Sequence, residues 1–273
     1  MKSTFLNRLP ITLLGIPAVI YLLNVGGFYF TVFVTLVICL ALIEFYNLNK
    51  QDGGGNKPNS VIGILLALLI CYFYSQFPYL NDGIVLPIIL FLIVIYLLWE
   101  MLSFNNNPIY NISITLSGVI YVAVLLGTMI ALRNWDSMNG ANFTFSMIIS
   151  VWICDSAAYT FGMLWGKKKL IERISPKKTV VGFLGGIFGS FLSFYIMNEL
   201  NFIHYNLSFS HIIILTIITG VFGQLGDFVE SMFKRDAGVK DSGKLLLGHG
   251  GVLDRFDSLI FTSPLVLIVV LYL

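Results

Sequence analysis

The chain has 273 residues, of which 57% are hydrophobic and only 11% are charged, and its mean hydropathy is +0.87. Charged residues make up about 25% of an average soluble domain, so this composition excludes a soluble globular enzyme and indicates an integral membrane protein. The net charge of +2 matters less than the positions of the charges, and we expect no nucleic-acid partner. Three cysteines, Cys39, Cys71 and Cys154, lie in apolar runs without a CxxC motif, which indicates neither a disulfide framework nor a zinc site.

Nine apolar stretches have about the length of a transmembrane helix, which needs roughly 20 residues. They cover residues 8–24, 26–46, 60–77, 84–102, 113–132, 143–165, 179–198, 209–228 and 253–273. We therefore predict an all-α, polytopic integral membrane protein of about nine transmembrane helices. Residues 1–105 are expected to form a lipid-facing scaffold. Residues 106–273 are expected to form a catalytic transmembrane region with polar loops at 166–178 and 229–252.

The basic residues predict the orientation of the chain. With the N-terminus in the cytoplasm, 15 of the 16 Lys and Arg residues fall on the cytoplasmic side, and only Arg133 falls outside. Lys and Arg favour the cytoplasmic side of membrane proteins. We therefore predict a multi-pass protein of the cell (inner or plasma) membrane, with a cytoplasmic N-terminus and both polar loops on the cytoplasmic face.

Aspartates lie where the last spans meet the water. Asp227 is near the end of span eight and Asp254 is at the start of span nine, so on adjoining antiparallel helices they could share a divalent cation. Hard oxygen ligands of this kind suit magnesium. The alternative is that Asp254 caps its helix while Arg255 and Asp257 are solvated interface charges. Asp155 lies deep in span six, where a carboxylate needs a partner, a proton or a polar cavity; a hydrogen-bonded structural role is its alternative.

The loop 166–178 supplies candidate phosphate ligands. Ser175 and Pro176 are typical of a helix N-cap and first helical position, so span seven would begin with free N–H groups beside Lys177 and Lys178. A helix N-terminus of this kind binds anions. The alternative is that the lysines only fix the topology or contact anionic lipid headgroups.

Glycines and isolated polar residues complete the sequence pattern. Gly250 and Gly251 allow the backbone to approach a ligand, and His249 beside them could contact phosphate or transfer a proton, with a structural turn histidine as the alternative. Glu44 and Glu100, near the ends of spans two and four, are expected only to mark the membrane interface. Small-xxx-small spacing in span seven predicts close helix packing; its members are Gly182, Gly185, Gly186 and Gly189.

Acidic metal ligands and two basic loops at one membrane face favour phosphoryl or nucleotidyl transfer, in which charge neutralisation and positioning dominate. A site at the depth of the lipid headgroups indicates that one substrate is a lipid. An ion-coupled transporter is the alternative of another class, because Asp155 and Asp227 could serve an ion path. Against it, we find no internal repeat and no matched pair of broken helices.

The C-terminal 120 or so residues resemble the phosphatidate cytidylyltransferases, also called CDP-diacylglycerol synthases. The resemblance rests on thirteen spaced positions, which are Ser231, Lys234, Arg235, Lys240, Asp241, Gly243, Leu246, His249, Gly250, Gly251, Asp254, Arg255 and Asp257. Two upstream stretches add to it, DSAAYTFG from Asp155 and SPKKTVVG from Ser175. Val181 and Leu247 depart from the family pattern, where Glu and a small residue or Pro are usual.

The resemblance implies that CTP and phosphatidate give CDP-diacylglycerol and pyrophosphate in phospholipid biosynthesis, with magnesium required. It implies Asp227 and Asp254 as metal ligands, and as catalytic residues together with His249, Lys234 and Arg235. It implies a substrate-binding set of Asp155, Ser175, Lys177, Lys178, Thr179, Ser231, Lys240, Asp241, Gly250, Gly251, Arg255 and Asp257. A second cation, a homodimer, a related polyprenol or phytol kinase and another lipid cytidylyltransferase remain open alternatives.

Overall fold

The computed structural model describes residues 15–48, 56–79, 85–103, 105–243 and 250–273. Within these ranges the chain forms nine helical segments, and the only β pairing is a single bridge between Lys169 and Thr179. The segments are α1 (Gly15–Val25), α2 (Gly27–Leu48), α3 (Ser60–Ser75), α4 (Val85–Leu102), α5 (Pro108–Asn134), α6 (Gly140–Trp165), α7 (Val180–Glu199), α8 (Phe209–Asp236) and α9 (Leu253–Leu271). Single π-helical turns interrupt α5 at Val119–Val124 and α8 at Ile218–Phe222.

The helices confirm the predicted all-α membrane fold. Each of the nine predicted spans overlaps one described segment, and six segments (α2 and α4 to α8) are long and apolar enough to cross a membrane. Among the described residues α1 and α3 are shorter, while α9 has 19 residues but carries Asp254, Arg255 and Asp257 in its first two turns. The count of nine crossings and the cytoplasmic N-terminus stay predictions.

Helix α8 extends two turns beyond the predicted span. It ends where Gly238 adopts a φ of +67°, a left-handed conformation that favours glycine. The Gly238 N–H donates to the Arg235 carbonyl at 3.1 Å, and the Val239 N–H donates to the Lys234 carbonyl at 2.9 Å, which is a Schellman motif. Lys234 and Arg235 therefore project from a helix, and the prediction that placed them in a loop is wrong.

The predicted start of α7 at Ser175 is also wrong. The N-cap is Thr179, whose hydroxyl accepts a hydrogen bond from the Gly182 N–H at 3.1 Å. Segments 168–170 and 178–180 lie side by side, joined by backbone hydrogen bonds of 3.1 and 3.0 Å. This pairing keeps the chain extended up to the cap, because a backbone group bonded across the hairpin is not available to a helix.

Successive helices run in alternate directions, so the two basic loops meet at one end of the molecule, which we call the site end. There the Arg235 Nε donates to the Ile174 carbonyl at 3.2 Å. At the opposite end the Arg133 Nε donates to the Leu23 carbonyl in the last turn of α1 at 2.7 Å. The prediction that both basic loops lie on one face is confirmed, and Arg133 lies at the other end, as expected.

Helices α6 and α7 pack closely through the glycines of α7, as predicted. A Cβ added at Gly182 would lie 2.6 Å from the Ala158 carbonyl oxygen, and one added at Gly189 would lie 2.8 Å from the Ala157 Cβ. No larger side chain fits at such contacts, so the two backbones touch. This contact fixes the start of α7 beside the polar face of α6, which carries Asp155.

Candidate active site

A cavity of about 670 Å³ opens at the site end, bordered by α6, α7, α8, α9 and the hairpin before α7. Its polar lining consists of Asp155, Lys177, Lys178, Thr179, Gln224, Asp227, Lys234, Asp254, Arg255, Asp257 and Ser258. Its apolar lining includes Trp152, Tyr159 and Met163 of α6. The cavity therefore offers charges of both signs beside an apolar wall, a combination that fits a charged ligand with an apolar part.

An accessible ion pair joins α8 to the hairpin. The Lys178 Nζ lies 2.5 Å from Asp227 Oδ2 and 4.5 Å from the centre of the Phe228 ring. The Ser231 hydroxyl donates to the other Asp227 oxygen at 3.2 Å. The Lys178 and Asp227 side chains are 30% and 31% exposed, and exposed pairs are weak. A phosphate or a cation could therefore separate the two at small cost.

A second group of charged side chains, on α8 and α9, is buried. Lys234 forms ion pairs with Glu230, one turn earlier in α8, and with Asp254 of α9, whose Oδ1 lies 2.7 Å from the lysine Nζ. The Lys234, Glu230 and Asp254 side chains are 10%, 0% and 7% exposed. Buried charges persist only when they are paired, so this group links α8 firmly to α9.

Asp254 also forms hydrogen bonds with Gly251 and Ser242, which precede α9 in the chain. Its Oδ2 accepts hydrogen bonds from the Gly251 N–H at 2.7 Å and from the Ser242 N–H and hydroxyl, each at 3.1 Å. With Lys234 on Oδ1, both carboxylate oxygens have protein partners. The interpretation of Asp254 as an organiser of the α9 start thus has geometric support, and its role as a metal ligand stays a prediction.

Glu44, expected only to mark the interface, instead reaches the start of α9. Its carboxylate accepts hydrogen bonds from the Val252 N–H at 3.0 Å and the Leu253 N–H at 2.8 Å. At α7, the Gly182 N–H is occupied by the Thr179 hydroxyl. The expectation of free N–H groups for phosphate at the start of α7 is therefore wrong for Gly182, because the Thr179 hydroxyl already accepts from its N–H.

The other predicted residues divide into two groups. Asp155 reaches the cavity from α6, and Asp257 reaches it from α9 while its Oδ1 accepts from the Ser258 N–H at 2.7 Å. The predicted residues outside the cavity lining are Ser175, Ser231, Arg235, Lys240, Asp241, Gly250 and Gly251. Of these, Lys240 and Asp241 are exposed. His249 lies outside the described residues.

The four carboxylates of the cavity are oxygen ligands of the kind that magnesium prefers. Among the described residues, no group of three or more His, Cys, Asp or Glu side chains is arranged to hold a metal ion. Magnesium in nucleotide enzymes is usually bound by one or two carboxylates together with substrate phosphates and water. Asp155, Asp227, Asp254 and Asp257 all line the cavity, so the donor chemistry fits a magnesium ion that arrives with a nucleotide.

Two acidic residues at the site were missed by sequence reasoning. The sequence pattern assigns no role to Glu230, which is fully buried in the structure. Glu44 is 7% exposed and was dismissed because it stands near a predicted membrane boundary. The sequence carried the same indication of a buried contact for both residues, because an acidic side chain within an apolar helix requires a partner.

Comparison with known proteins identifies the family of the chain. The model of the cytidylyltransferase family matches residues 6–273. A phosphatidate cytidylyltransferase of Staphylococcus haemolyticus is 38% identical over 97% of this chain and 97% of its own length. Those of Staphylococcus saprophyticus and Staphylococcus aureus are 38% and 37% identical, each over 93% of this chain and 95% of their own length. By this match along nearly its whole length, the chain belongs to the cytidylyltransferase family.

Proposed function

We propose that this protein transfers a cytidylyl group from CTP to phosphatidate, giving CDP-diacylglycerol and pyrophosphate in phospholipid biosynthesis. The observation that carries the proposal is the cavity at the site end, where cations and carboxylates face an apolar wall of α6. The similar relatives are named for this activity. A lipid phosphate and a nucleoside triphosphate are both anionic, so the cations Lys177, Lys178 and Arg255 suit both substrates.

The chemistry requires positioning and charge neutralisation more than a nucleophile from the protein. A phosphate oxygen of phosphatidate forms a bond to the α-phosphorus of CTP, and the bond from that phosphorus to the bridging oxygen breaks, so pyrophosphate leaves with the electron pair. Lys178, released from Asp227, would neutralise the charge that develops on the phosphates. The buried Lys234 would keep Asp254 in place throughout.

We propose that magnesium binds beside Asp227 and Asp254, together with the nucleotide phosphates. The ion would supply charge neutralisation and fix the triphosphate in the cavity. Asp227 is suited to this role because its ion pair with Lys178 is about one third exposed. Asp155 and Asp257 line the same cavity and would add negative charge that favours a cation.

The location of the cavity supports a membrane-bound substrate. Exposed apolar residues of α6, including Tyr159 and Met163, border the cavity and would contact the acyl chains or the glycerol of phosphatidate. We propose that the site end faces the cytoplasm at the plasma membrane, because 15 of the 16 basic residues fall on that side of the predicted topology. The homodimer stays a prediction.

The decisive experiment uses the purified full-length protein in mixed micelles with phosphatidate and each nucleoside triphosphate in turn. Release of pyrophosphate and formation of CDP-diacylglycerol are expected with CTP and magnesium, and a chelator should stop both. Phosphorylation of a lipid alcohol by ATP would favour the kinase alternative instead. Absence of a liponucleotide product with CTP and magnesium would refute the proposed reaction.

A further inference from the structure

Glu44 links the N-terminal half of the chain to the acidic face of the cavity. It lies near the end of α2, 208 residues before Val252 and 209 before Leu253, whose N–H groups it accepts at 3.0 and 2.8 Å. The Ser242 hydroxyl donates to its Oε2 at 3.1 Å. The side chain is therefore held by three donors from the segments on either side of the loop before α9.

The surrounding backbone closes tightly on this carboxylate. A Cβ added at Gly243 or at Gly251 would lie 2.7 Å from the Glu44 Cδ, closer than real Cβ contacts. Neither glycine has a positive φ, so glycine is required at both positions because the Glu44 carboxylate leaves no space for a side chain. The backbone at Gly243 and Gly251 thus lies directly against the Glu44 side chain, and a larger residue at either position would displace the carboxylate.

The carboxylate matches the chemistry of a helix start. The first N–H groups of a helix have no partner within the helix, and the positive end of the helix dipole favours a negative group. Val252 and Leu253 are buried, so water cannot replace the acceptor without cost. The side chain of the N-cap residue, Val252, makes no capping hydrogen bond, and Glu44 of a distant helix accepts from the Val252 and Leu253 N–H groups instead.

The same contacts reach Asp254 through Ser242. The Ser242 hydroxyl lies 3.1 Å from Glu44 Oε2 and also 3.1 Å from Asp254 Oδ2. One serine hydrogen therefore serves two carboxylates, and the position of either acid depends on the other. Glu44 fixes Val252 and Leu253, and Asp254 and Arg255 follow these two residues directly in the first turn of α9.

We propose that Glu44 is a positioning residue for cytidylyl transfer: its carboxylate caps α9 from outside that helix and thereby sets Asp254, Arg255 and Asp257 at the cavity. This inference rests on the proposed function. Glu44 does not line the cavity, so it acts through the start of α9 and not by contact with substrate.

The first test replaces Glu44 by glutamine, which has the same size but no charge. One of the two carboxylate oxygens becomes an NH2 group, which cannot accept a hydrogen bond from Ser242, Val252 or Leu253. We expect kcat to fall about 10–100-fold, since small misplacement of reacting groups costs rates of that order. The KM values for CTP and phosphatidate should rise by a smaller factor than kcat falls, because Glu44 positions the acidic residues Asp254 and Asp257 as well as the substrate-binding Arg255. Amide hydrogen exchange in segment 250–256 should become faster.

Glu100→Gln is the matched control. Glu100 is 3% exposed near the end of α4 and accepts a hydrogen bond from the Asn111 amide at 2.6 Å. Its hydrogen-bond partner lies in α5, far along the chain from α9. Its variant should keep kcat within about 2-fold of the wild-type value and leave exchange in segment 250–256 unchanged.

A second test uses the close contact with Gly243. Gly243→Ala would push the Glu44 carboxylate out of place and lower kcat, and Glu44→Asp would lower kcat because the shorter side chain loses its hydrogen bonds. In the double variant the shorter acid leaves space for the added methyl group. We expect its kcat to be at least about 3-fold higher than the product of the two single effects predicts.

The outcomes separate the two proposals. Wild-type kcat and wild-type exchange in Glu44→Gln would overturn the positioning role, as would an equal loss of kcat in Glu100→Gln. If the wild-type protein makes no CDP-diacylglycerol, the proposed function fails. The exchange experiment then still decides whether Glu44 fixes the start of α9, and unchanged exchange in segment 250–256 would overturn that as well.

Discussion

Replacing Lys234 by methionine should destabilise the protein strongly, because it leaves two buried carboxylates without their cation. Lys234 pairs with Glu230, whose side chain is fully buried, and with Asp254, whose side chain is 7% exposed. Removing one partner of a buried ion pair costs about 3–5 kcal/mol. Asp254 keeps its hydrogen bonds from Ser242 and Gly251, so most of the loss comes from Glu230.

Substitution of Glu230 as well as Lys234 should restore stability. Glu230→Gln removes the orphaned charge, so the double variant Lys234→Met/Glu230→Gln should recover most of the lost free energy of unfolding. In thermal unfolding in detergent, followed by tryptophan fluorescence, the single variant should unfold on the order of 10 °C below wild type. The exposed Lys177→Met serves as control and should unfold within about 2 °C of wild type. A single variant as stable as wild type, or a double variant no more stable than the single one, would refute the argument.

Three further predictions concern Asp254, the cap of α7 and the contact between α6 and α7. Asp254→Asn should lower kcat at least ~100-fold if this carboxylate binds a catalytic metal; wild-type turnover in micelles would remove it from the mechanism. Thr179→Ala should lower the free energy of unfolding by about 1 kcal/mol, because the α7 cap is lost, whereas Thr179→Ser keeps a hydroxyl and should match wild type in the same unfolding measurement. Gly189→Leu should separate α6 from α7 and abolish CTP turnover, because even an added Cβ would lie 2.8 Å from the Ala157 Cβ; a folded, active variant would show that this close packing is not required.

The fold was largely predictable from the sequence because hydropathy alone specifies where membrane helices lie. Each predicted span overlaps one described helix, and the glycines of α7 lie at the contact with α6. The errors fell at helix ends. The extension of α8 depends on the Gly238 turn, and the late start of α7 depends on hairpin pairing with segment 168–170, which composition does not reveal.

The site was predictable only in part, since sequence reasoning identified charged residues but not their partners. Asp227 and Asp254 were predicted near each other, and the structure brings both to one cavity. Their nearest partners, Lys178 and Lys234, could not be assigned from spacing, because the contact between Lys178 and Asp227 joins residues 49 positions apart. Glu230 lies on the same helix as Lys234 at i,i+4 spacing, so that pair was visible in the sequence and was overlooked.

The position of Glu44 changes how the N-terminal half should be regarded. The sequence indicated a lipid-facing scaffold there, because residues 1–105 consist mainly of apolar spans. Yet a buried polar contact between α2 and the start of α9 is costly unless it is fully satisfied, and Glu44 receives three donors. Helices α2 and α9 could not shift independently without exposing these groups. The scaffold and the cavity are therefore coupled mechanically, so substitutions in α2 that move Glu44 should alter turnover although α2 contributes no residue to the cavity lining.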